Sequence, residues 1–120
     1  MAIGLHGMRH QPWRGLDDRE LDQEIAVARR LLEDEIGAPL AAAACPFGSY
    51  DRRVLGRLRR AGFDAVFTSD GGWASSGAWL QARNTLRAGD GGPAVGRVAI
   101  GEGSAARSRR RVKTLVKRWR

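Results

Sequence analysis

The sequence predicts an α/β fold in which short buried strands alternate with amphipathic helices. Residues 2–5, 40–44 and 65–68 are apolar segments of strand length. Residues 17–36 and 51–61 carry apolar side chains at helical spacing, and both segments have capping signals at their ends. The order strand, helix, strand, helix, strand is typical of parallel strands joined by crossover helices.

Length and composition indicate one modest folded domain. The chain has 120 residues, of which 42% are hydrophobic, and this composition excludes disorder throughout. It has no apolar run near the ~18 residues of a membrane span, and its first residues lack the layout of a signal peptide. Cys45 is the single cysteine, which favours a reducing compartment. We therefore expect a cytoplasmic protein or one at the membrane periphery.

The predicted helix 17–36 has the strongest local signals. Asp17 can cap the first turn, and Glu20 follows three residues later as the partner of a capping box. Gly37 is the expected end of the helix, since glycine commonly follows the last helical residue. The spacing predicts one buried stripe, which consists of Leu21, Ile25, Ala28 and Leu32.

The alternation continues beyond the first helix. Residues 40–44 are predicted as a strand because prolines on both sides leave no room for a helix, and their small side chains suggest the crowded interior of a barrel. Helix 51–61 is expected to end at Gly62. The Gly- and Ser-rich loop 70–77 follows a strand, where sites of α/β folds usually lie, and a last strand is expected within 79–87.

The two histidines of the chain, His6 and His10, are four residues apart and follow the first strand-like segment. On a helical turn, side chains at i and i+4 lie on one face with Cβ atoms about 5–6 Å apart. Two imidazoles so placed can bind one metal ion with Zn–N bonds of about 2.0–2.1 Å. The spacing alone leaves the alternative of two surface or capping histidines open.

The positive charge is concentrated at the end of the chain. The formal net charge is +8, and eight of the 21 Lys and Arg residues lie in the last fourteen positions, whereas no acidic residue follows Glu102. Residues 89–104 are a Gly-rich linker by composition. Residues 105–120 form a basic tail with helical periodicity, whose apolar side is Val112, Leu115, Val116 and Trp119.

This tail supports two interpretations. A basic amphipathic helix can bind an anionic membrane surface or an acidic polymer, or its apolar stripe can pack on the domain while its charges stay solvated. No base-reading motif is present, so sequence-specific binding of nucleic acid is not expected. The candidate residues for an anionic partner are Arg109, Arg110, Arg111, Lys113, Lys117 and Arg118.

Five segments are informative when they are taken together in their order and spacing: Ile3-Gly-Leu-His-Gly-Met-Arg-His10, Leu16-Asp17, Cys45-Pro-Phe-Gly-Ser-Tyr-Asp51, Ala61-Gly-Phe63 and Phe67-Thr-Ser-Asp-Gly71. In this order they resemble the polysaccharide deacetylase family, the carbohydrate esterases that act on chitooligosaccharides and on peptidoglycan of the cell envelope. The resemblance covers about residues 2–87, and we expect a partial deacetylase domain over residues 1–88.

This resemblance implies a distorted (β/α) barrel with a divalent metal, usually zinc, held by one aspartate and two histidines. His6 and His10 match the histidine pair. The family's metal-binding and catalytic aspartates lie upstream of the first histidine, where this chain has no acidic residue, and its later general-acid histidine has no counterpart after His10. We therefore expect the C-terminal portion of a deacetylase domain, incomplete or weakly active, with Asp70 or another chain as the source of a third metal ligand.

The resemblance also implies hydrolysis of N-acetyl groups on a carbohydrate. The family places an oxyanion donor at the backbone N–H that corresponds to Phe47, in a turn that Pro46 fixes. Pro46 and four further residues are expected to bind the substrate. The four are predicted to line a sugar cleft, because aromatic faces stack on pyranose rings: Tyr50, Asp70, Trp73 and Trp79. Cys45 and Trp13 are expected to be packing residues.

Overall fold

The computed structural model describes residues 2–100 and 104–119, and for residue 97 and residues 104–111 it describes the backbone alone. The first long helix begins after Asp17 and has three parts, α1 (Asp18–Asp22), a π-helical segment (Gln23–Val27) and α2 (Ala28–Ile36). It is followed by β1 (Ala42–Ala44), a 3₁₀ turn (Pro46–Gly48), α3 (Arg52–Arg60) and β2 (Ala65–Thr68). The remaining elements are β3 (Leu80–Ala82), α4 (Gly92–Ile100) and α5 (Ser104–Trp119).

Both predicted helices form where their caps place them. Asp17 accepts a hydrogen bond from the Glu20 backbone N–H at 2.8 Å, and the Glu20 carboxylate accepts one from Asp17 N at 3.0 Å, which completes the capping box. Asp51 caps α3 in the same way through Val54 N. Gly37 and Gly62, which follow the two helices, adopt the left-handed conformation expected at these ends.

The sheet is small and parallel. Its strands lie in the order β1, β2, β3, and Leu5 adds a single parallel bridge to Ala43 beside β1. Residues 2–5 therefore contribute one bridge rather than the predicted strand. The described residues form this open sheet and no closed barrel, so the α/β class is confirmed and the predicted barrel is not observed.

The segments after β2 can be compared with the prediction. A loop leads from β2 to β3, as the sequence predicted, because the glycines and serines of residues 71–77 do not support helical hydrogen bonding. The segment 89–104, interpreted as a linker, contains α4, while α5 covers nearly all of the predicted tail. None of the helices in the described parts of the chain has the length and apolar content that spanning a bilayer requires.

The core lies between the sheet and the two capped helices. The predicted stripe faces it, with Leu32 at its margin. Trp13 is buried there, which confirms it as a packing residue. The other buried apolar residues are Leu5, Leu40, Ala43, Cys45, Tyr50, Val54, Leu58, Phe63 and Val66.

Candidate active site

His6 is anchored by β1. The preceding residue, Leu5, donates its N–H to Ala42 O and accepts from Ala44 N, both at 2.8 Å. His6 Nδ1 lies 2.8 Å from Ala44 O. Because a carbonyl oxygen only accepts, Nδ1 carries the hydrogen, and Nε2 of the neutral ring is left with a free lone pair. The strand thus fixes both the tautomer and the direction of the His6 ring.

His10 approaches His6 across a loop. The two Nε2 atoms are 3.2 Å apart, and the ring centroids are 4.8 Å apart. The residues do not form the helical turn that the i, i+4 spacing allows, since residues 6–10 are not helical and His10 has a φ of 51°. Gly7 has a φ of 86°, which makes the loop possible because glycine tolerates this conformation. The backbone reverses within the loop and brings the rings together.

The histidine pair fits two positions of a metal site. Two nitrogens at about 2.0–2.1 Å from one tetrahedral ion would be about 3.3–3.4 Å apart, and the observed separation is 3.2 Å. Within the described residues, however, no group of three His, Cys, Asp or Glu residues is arranged to hold a metal. The expected third ligand, Asp70, is engaged elsewhere. The pair therefore offers two nitrogens, one fewer than the three protein ligands that a catalytic zinc usually has.

The turn Pro46–Gly48 lies against the histidines. Its hydrogen bonds are donated by Gly48 N to Cys45 O and by Ser49 N to Pro46 O, and not by Phe47 N. The Phe47 side chain is 65% exposed, and its ring centroid lies 4.7 Å from that of His10. Phe47 also has a φ of 55°, a conformation that side chains other than glycine adopt rarely. The residue predicted as oxyanion donor therefore neighbours the histidine pair.

Tyr50 and Asp70, both predicted to line a sugar cleft, contact Lys117 of α5. Tyr50 OH donates to Asp70 Oδ2 at 2.5 Å, and Lys117 Nζ lies 2.6 Å from Asp70 Oδ1. The Lys117 ammonium also lies 5.0 Å from the centre of the Tyr50 ring. Tyr50 is fully buried, so it presents no face to a sugar, and the prediction of a stacking role is wrong.

The charges of this cluster follow from its contacts. Burial alone would raise the pKa of Asp70, but the hydrogen bonds from Lys117 and Tyr50 and the Lys117 charge outweigh burial and hold the pKa below its usual value. Burial, and then the hydrogen bond to Asp70, raise the pKa of Tyr50, which stays neutral and donates. Burial, and then the Asp70 charge, raise the pKa of Cys45 to about 12, so its thiol is a packing group.

The two tryptophans that are predicted to line the sugar cleft lie at opposite edges of the sheet. Trp73 is 70% exposed in the loop after β2 and, with Asp70 and Arg118, lines a cavity of about 850 Å³ that the histidines do not border. Trp79 precedes β3 at the opposite, amino edge of the sheet. Its Nε1 donates to Phe63 O at 2.8 Å, and the Arg59 guanidinium covers its ring at 4.1 Å. Trp79 is therefore a packing residue, and its predicted role in the cleft is wrong.

The basic residues of the tail divide into two groups. Lys113 and Arg118 are exposed on α5. Lys117 is not free for an anionic partner, because it binds Asp70 and donates to Gly48 O at 3.0 Å. The side chains of Arg109, Arg110 and Arg111 lie outside the described residues.

Glu24 belongs to the site but was missed in the sequence. It lies in the π-helical segment and is 1% exposed. Its carboxylate accepts hydrogen bonds from the loop that carries the histidines. The signal was a charged residue between Leu21 and Ile25 inside an apolar stripe, since a carboxylate buried there requires donors nearby.

Comparison with known proteins supports the resemblance to the polysaccharide deacetylases over part of the chain. The family model for polysaccharide deacetylase matches residues 1–66. The crystal structure of BA0330 from Bacillus anthracis, assigned by its name to the polysaccharide deacetylases, aligns with a TM-score of 0.57 at 20% sequence identity. The alignment covers 66% of this chain and 26% of that one, so the chain spans about a quarter of that structure. No significant match was found among curated proteins.

Proposed function

This chain belongs to the polysaccharide deacetylase family, and from that premise we propose that it takes part in the metal-dependent hydrolysis of N-acetyl groups on a carbohydrate. The observation that carries the proposal is the approach of His6 Nε2 and His10 Nε2 to 3.2 Å beside the Phe47 turn. When bound, a divalent ion, by family most simply zinc, would polarise the acetyl carbonyl and acidify a water molecule.

The roles of this chain's residues follow from their geometry. His6 and His10 would hold the ion, and the Ala44 carbonyl keeps His6 in the tautomer that binds through Nε2. The Phe47 N–H would donate a hydrogen bond to the oxyanion that forms from the acetyl carbonyl, a contact whose loss typically costs about 10²–10³ in rate. Pro46 limits the freedom of the turn before that donor.

A carboxylate base is the missing part of this constellation. Glu24 is buried beneath the histidine loop, and Asp70 is bound to Lys117 and Tyr50. Neither carboxylate is free to take a proton from water. We therefore propose that the base and the third ligand come from outside the described residues and that the 120-residue chain alone turns over slowly.

The proposal is tested by acetate release from N-acetylated chitooligosaccharides with zinc added. We expect slow, zinc-dependent release that is lost in His6→Ala and in His10→Ala. Arg14→Ala is the matched control, because Arg14 is exposed in the adjacent loop and should leave the rate unchanged. Release that does not depend on zinc, or that survives both histidine substitutions, would contradict the proposal.

A second candidate function concerns α5, whose apolar stripe is largely exposed. Val112, Leu115, Val116 and Trp119 are between 45% and 74% exposed, on a helix with six Arg and Lys residues among its last eleven positions, 109–119. We propose that this surface binds anionic membranes through apolar insertion and charge attraction.

Sedimentation with vesicles of phosphatidylserine and phosphatidylcholine tests this second candidate. We expect binding that weakens as salt increases and that falls in Trp119→Ala. Trp73→Ala is the matched control, because Trp73 is equally exposed but lies outside α5. Absence of binding at low salt, or equal binding by both variants, would exclude a membrane role for α5.

A further inference from the structure

The loop that contains the histidines is hydrogen-bonded to one buried carboxylate, that of Glu24. Glu24 Oε2 accepts from Met8 N at 3.0 Å, from Arg9 N at 3.3 Å and from Trp13 Nε1 at 3.4 Å. Glu24 Oε1 accepts from Arg9 N at 3.2 Å and from Gln11 Nε2 at 3.1 Å. All these donors belong to residues 8–13, and each is a neutral group. A single side chain of the first long helix therefore binds the backbone and two side chains of the histidine loop.

The two histidines are held by different means. His6 is fixed by β1 through its Nδ1 bond to Ala44 O, whereas no strand or helix contains His10. The two peptide N–H groups that Glu24 binds, at Met8 and Arg9, directly precede His10 in the chain. Fixing those peptide groups fixes the point from which the His10 side chain begins.

The local sequence is built around this contact. The π-helical segment places Glu24 and Ile25 side by side among the buried residues, and π-helical insertions are frequent at functional sites. A Cβ atom on Gly7 would lie 2.5 Å from Glu24 Oε2 and 3.2 Å from Trp13 Nε1, so only glycine permits this close approach. The carboxylate, the glycine and the indole thus form one packed unit beneath the histidine pair.

From this geometry we infer that Glu24 is a positioning residue that holds His10 against His6, so that their Nε2 atoms are preorganised for one metal ion. The purpose of this positioning rests on the proposed function, but the same contacts also determine the tautomers of the two histidines in the metal-free protein. In that state His6 carries its hydrogen on Nδ1, so the 3.2 Å contact requires that His10 donate from Nε2. The neutral rings are therefore held in opposite tautomers.

Long-range ¹H–¹⁵N correlation spectra of the full chain at alkaline pH test this arrangement, because the sequence has only two histidines. We expect the wild-type protein to show one Nδ1–H ring and one Nε2–H ring. Glu24→Gln keeps the side-chain volume but offers one acceptor oxygen in place of two. In this variant we expect the His10 tautomers to average while His6, held by β1, keeps its state.

Cobalt binding, followed by its visible absorption, provides the second measurement. We expect Glu24→Gln to bind Co²⁺ about ten- to a hundredfold more weakly, as is usual when a group that orients metal ligands is removed. Ile25→Val is the matched control, because it loosens the same buried segment and leaves the Glu24 carboxylate and its hydrogen-bond donors unchanged. A merely structural role for Glu24 would lower thermal stability in both variants and leave tautomers and cobalt affinity unchanged.

A folded Glu24→Gln protein with wild-type tautomers and wild-type cobalt affinity would overturn the inference. If Glu24→Gln does not fold, Gln11→Ala removes one donor from the loop without altering the helix, and it should shift both measurements in the same direction by a smaller amount. Unchanged values in Gln11→Ala would then overturn the inference. If the wild-type chain binds no Co²⁺, the proposed metal site fails, and the tautomers alone decide the role of Glu24.

Discussion

Two consecutive residues of the turn before α3 adopt left-handed backbone conformations. Phe47 and Gly48 have φ values of 55° and 60°. Such a conformation is free of strain for glycine but costs of order 1–3 kcal/mol for other residues, and strain of this kind is concentrated at functional sites. Phe47 carries that strain while its side chain remains mostly exposed, so packing of its own ring does not account for it.

Gly48 provides a prediction at the scale of one residue. A Cβ atom at this position would lie 3.0 Å from both the Ser69 backbone nitrogen and Ser69 Cβ, and the backbone cannot give way easily. We expect Gly48→Ala to destabilise the fold by about 2–4 kcal/mol, from left-handed strain together with the displaced contact. Unfolding in urea measures this free energy.

Gly37→Ala is the matched control for that measurement. Gly37 has a similar φ of 65°, but a Cβ atom there would meet nothing within 4 Å. The control should lose only the strain of a left-handed alanine, about 1–2 kcal/mol. Equal losses in the two variants would show that contact with Ser69 does not matter.

At the scale of elements, the sequence predicted those with their own start and stop signals. The helix from Asp17 to Gly37 and α3 match their predicted bounds within one residue, because side-chain caps and glycine ends are local chemistry. The π-helical segment was not predicted. It contains Glu24, whose hydrogen-bond partners lie eleven to sixteen residues earlier in the chain, and no local sequence signal identifies these partners.

The helix α5 is attached to the domain through a partly buried ion pair. Lys117 reaches Asp70, whose side chain is 5% exposed, and α5 also contacts α3. The sequence could not predict this contact, because nothing local links a basic helix to a carboxylate 47 residues away. This contact and the hydrogen bond from Tyr50 engage both oxygens of the Asp70 carboxylate, so neither oxygen is free to serve as a metal ligand.

Removal of the Lys117 charge should have a pH-dependent effect on stability. The pKa of Asp70 lies below its usual value in the folded protein. The charged carboxylate therefore stabilises the fold at pH values above its pKa in the unfolded chain, about 3.9. This stabilisation is lost as the pH falls through the lower pKa of the folded state. We expect Lys117→Met to lower the free energy of unfolding by about 2 kcal/mol at pH 7, which lies between the contributions typical of exposed and of buried ion pairs. The difference should shrink below about pH 4, where Asp70 of the variant is neutral.

Lys113→Met is the control for this pH series. Lys113 is exposed one turn earlier on α5, so its loss removes the same charge without exposing a buried carboxylate. Urea unfolding between pH 3 and pH 7 should show almost no change for this variant. A stability difference for Lys117→Met that stays constant over this range would contradict the role assigned to Asp70.

At the scale of the whole molecule, the candidate site combines segments from three regions of the chain. The approach of the histidines to the Phe47 turn was expected from the family resemblance, and the structure brings these residues together. The i, i+4 spacing alone could not give the conformation of residues 6–10, because spacing describes neighbours along one helix and these residues form a loop. The contacts of Glu24 with the histidine loop and of Lys117 with Asp70 join different elements, so sequence periodicity could not predict them.

We propose that β1 and the first long helix together bring the two histidines into position to bind one ion. β1 holds His6 through Ala44, and the helix holds the loop before His10 through Glu24. Two ligands rather than three imply modest affinity.

Zinc binding to the metal-free chain, measured by isothermal titration, tests this proposal most directly. The proteins to compare are the wild type, His6→Ala, His10→Ala and the exposed control Arg14→Ala. We predict one ion per chain, an affinity about tenfold or more weaker in each histidine variant, and no change in the control. Zinc binding that is equally strong in all four proteins, or absent from the wild type, would contradict the account.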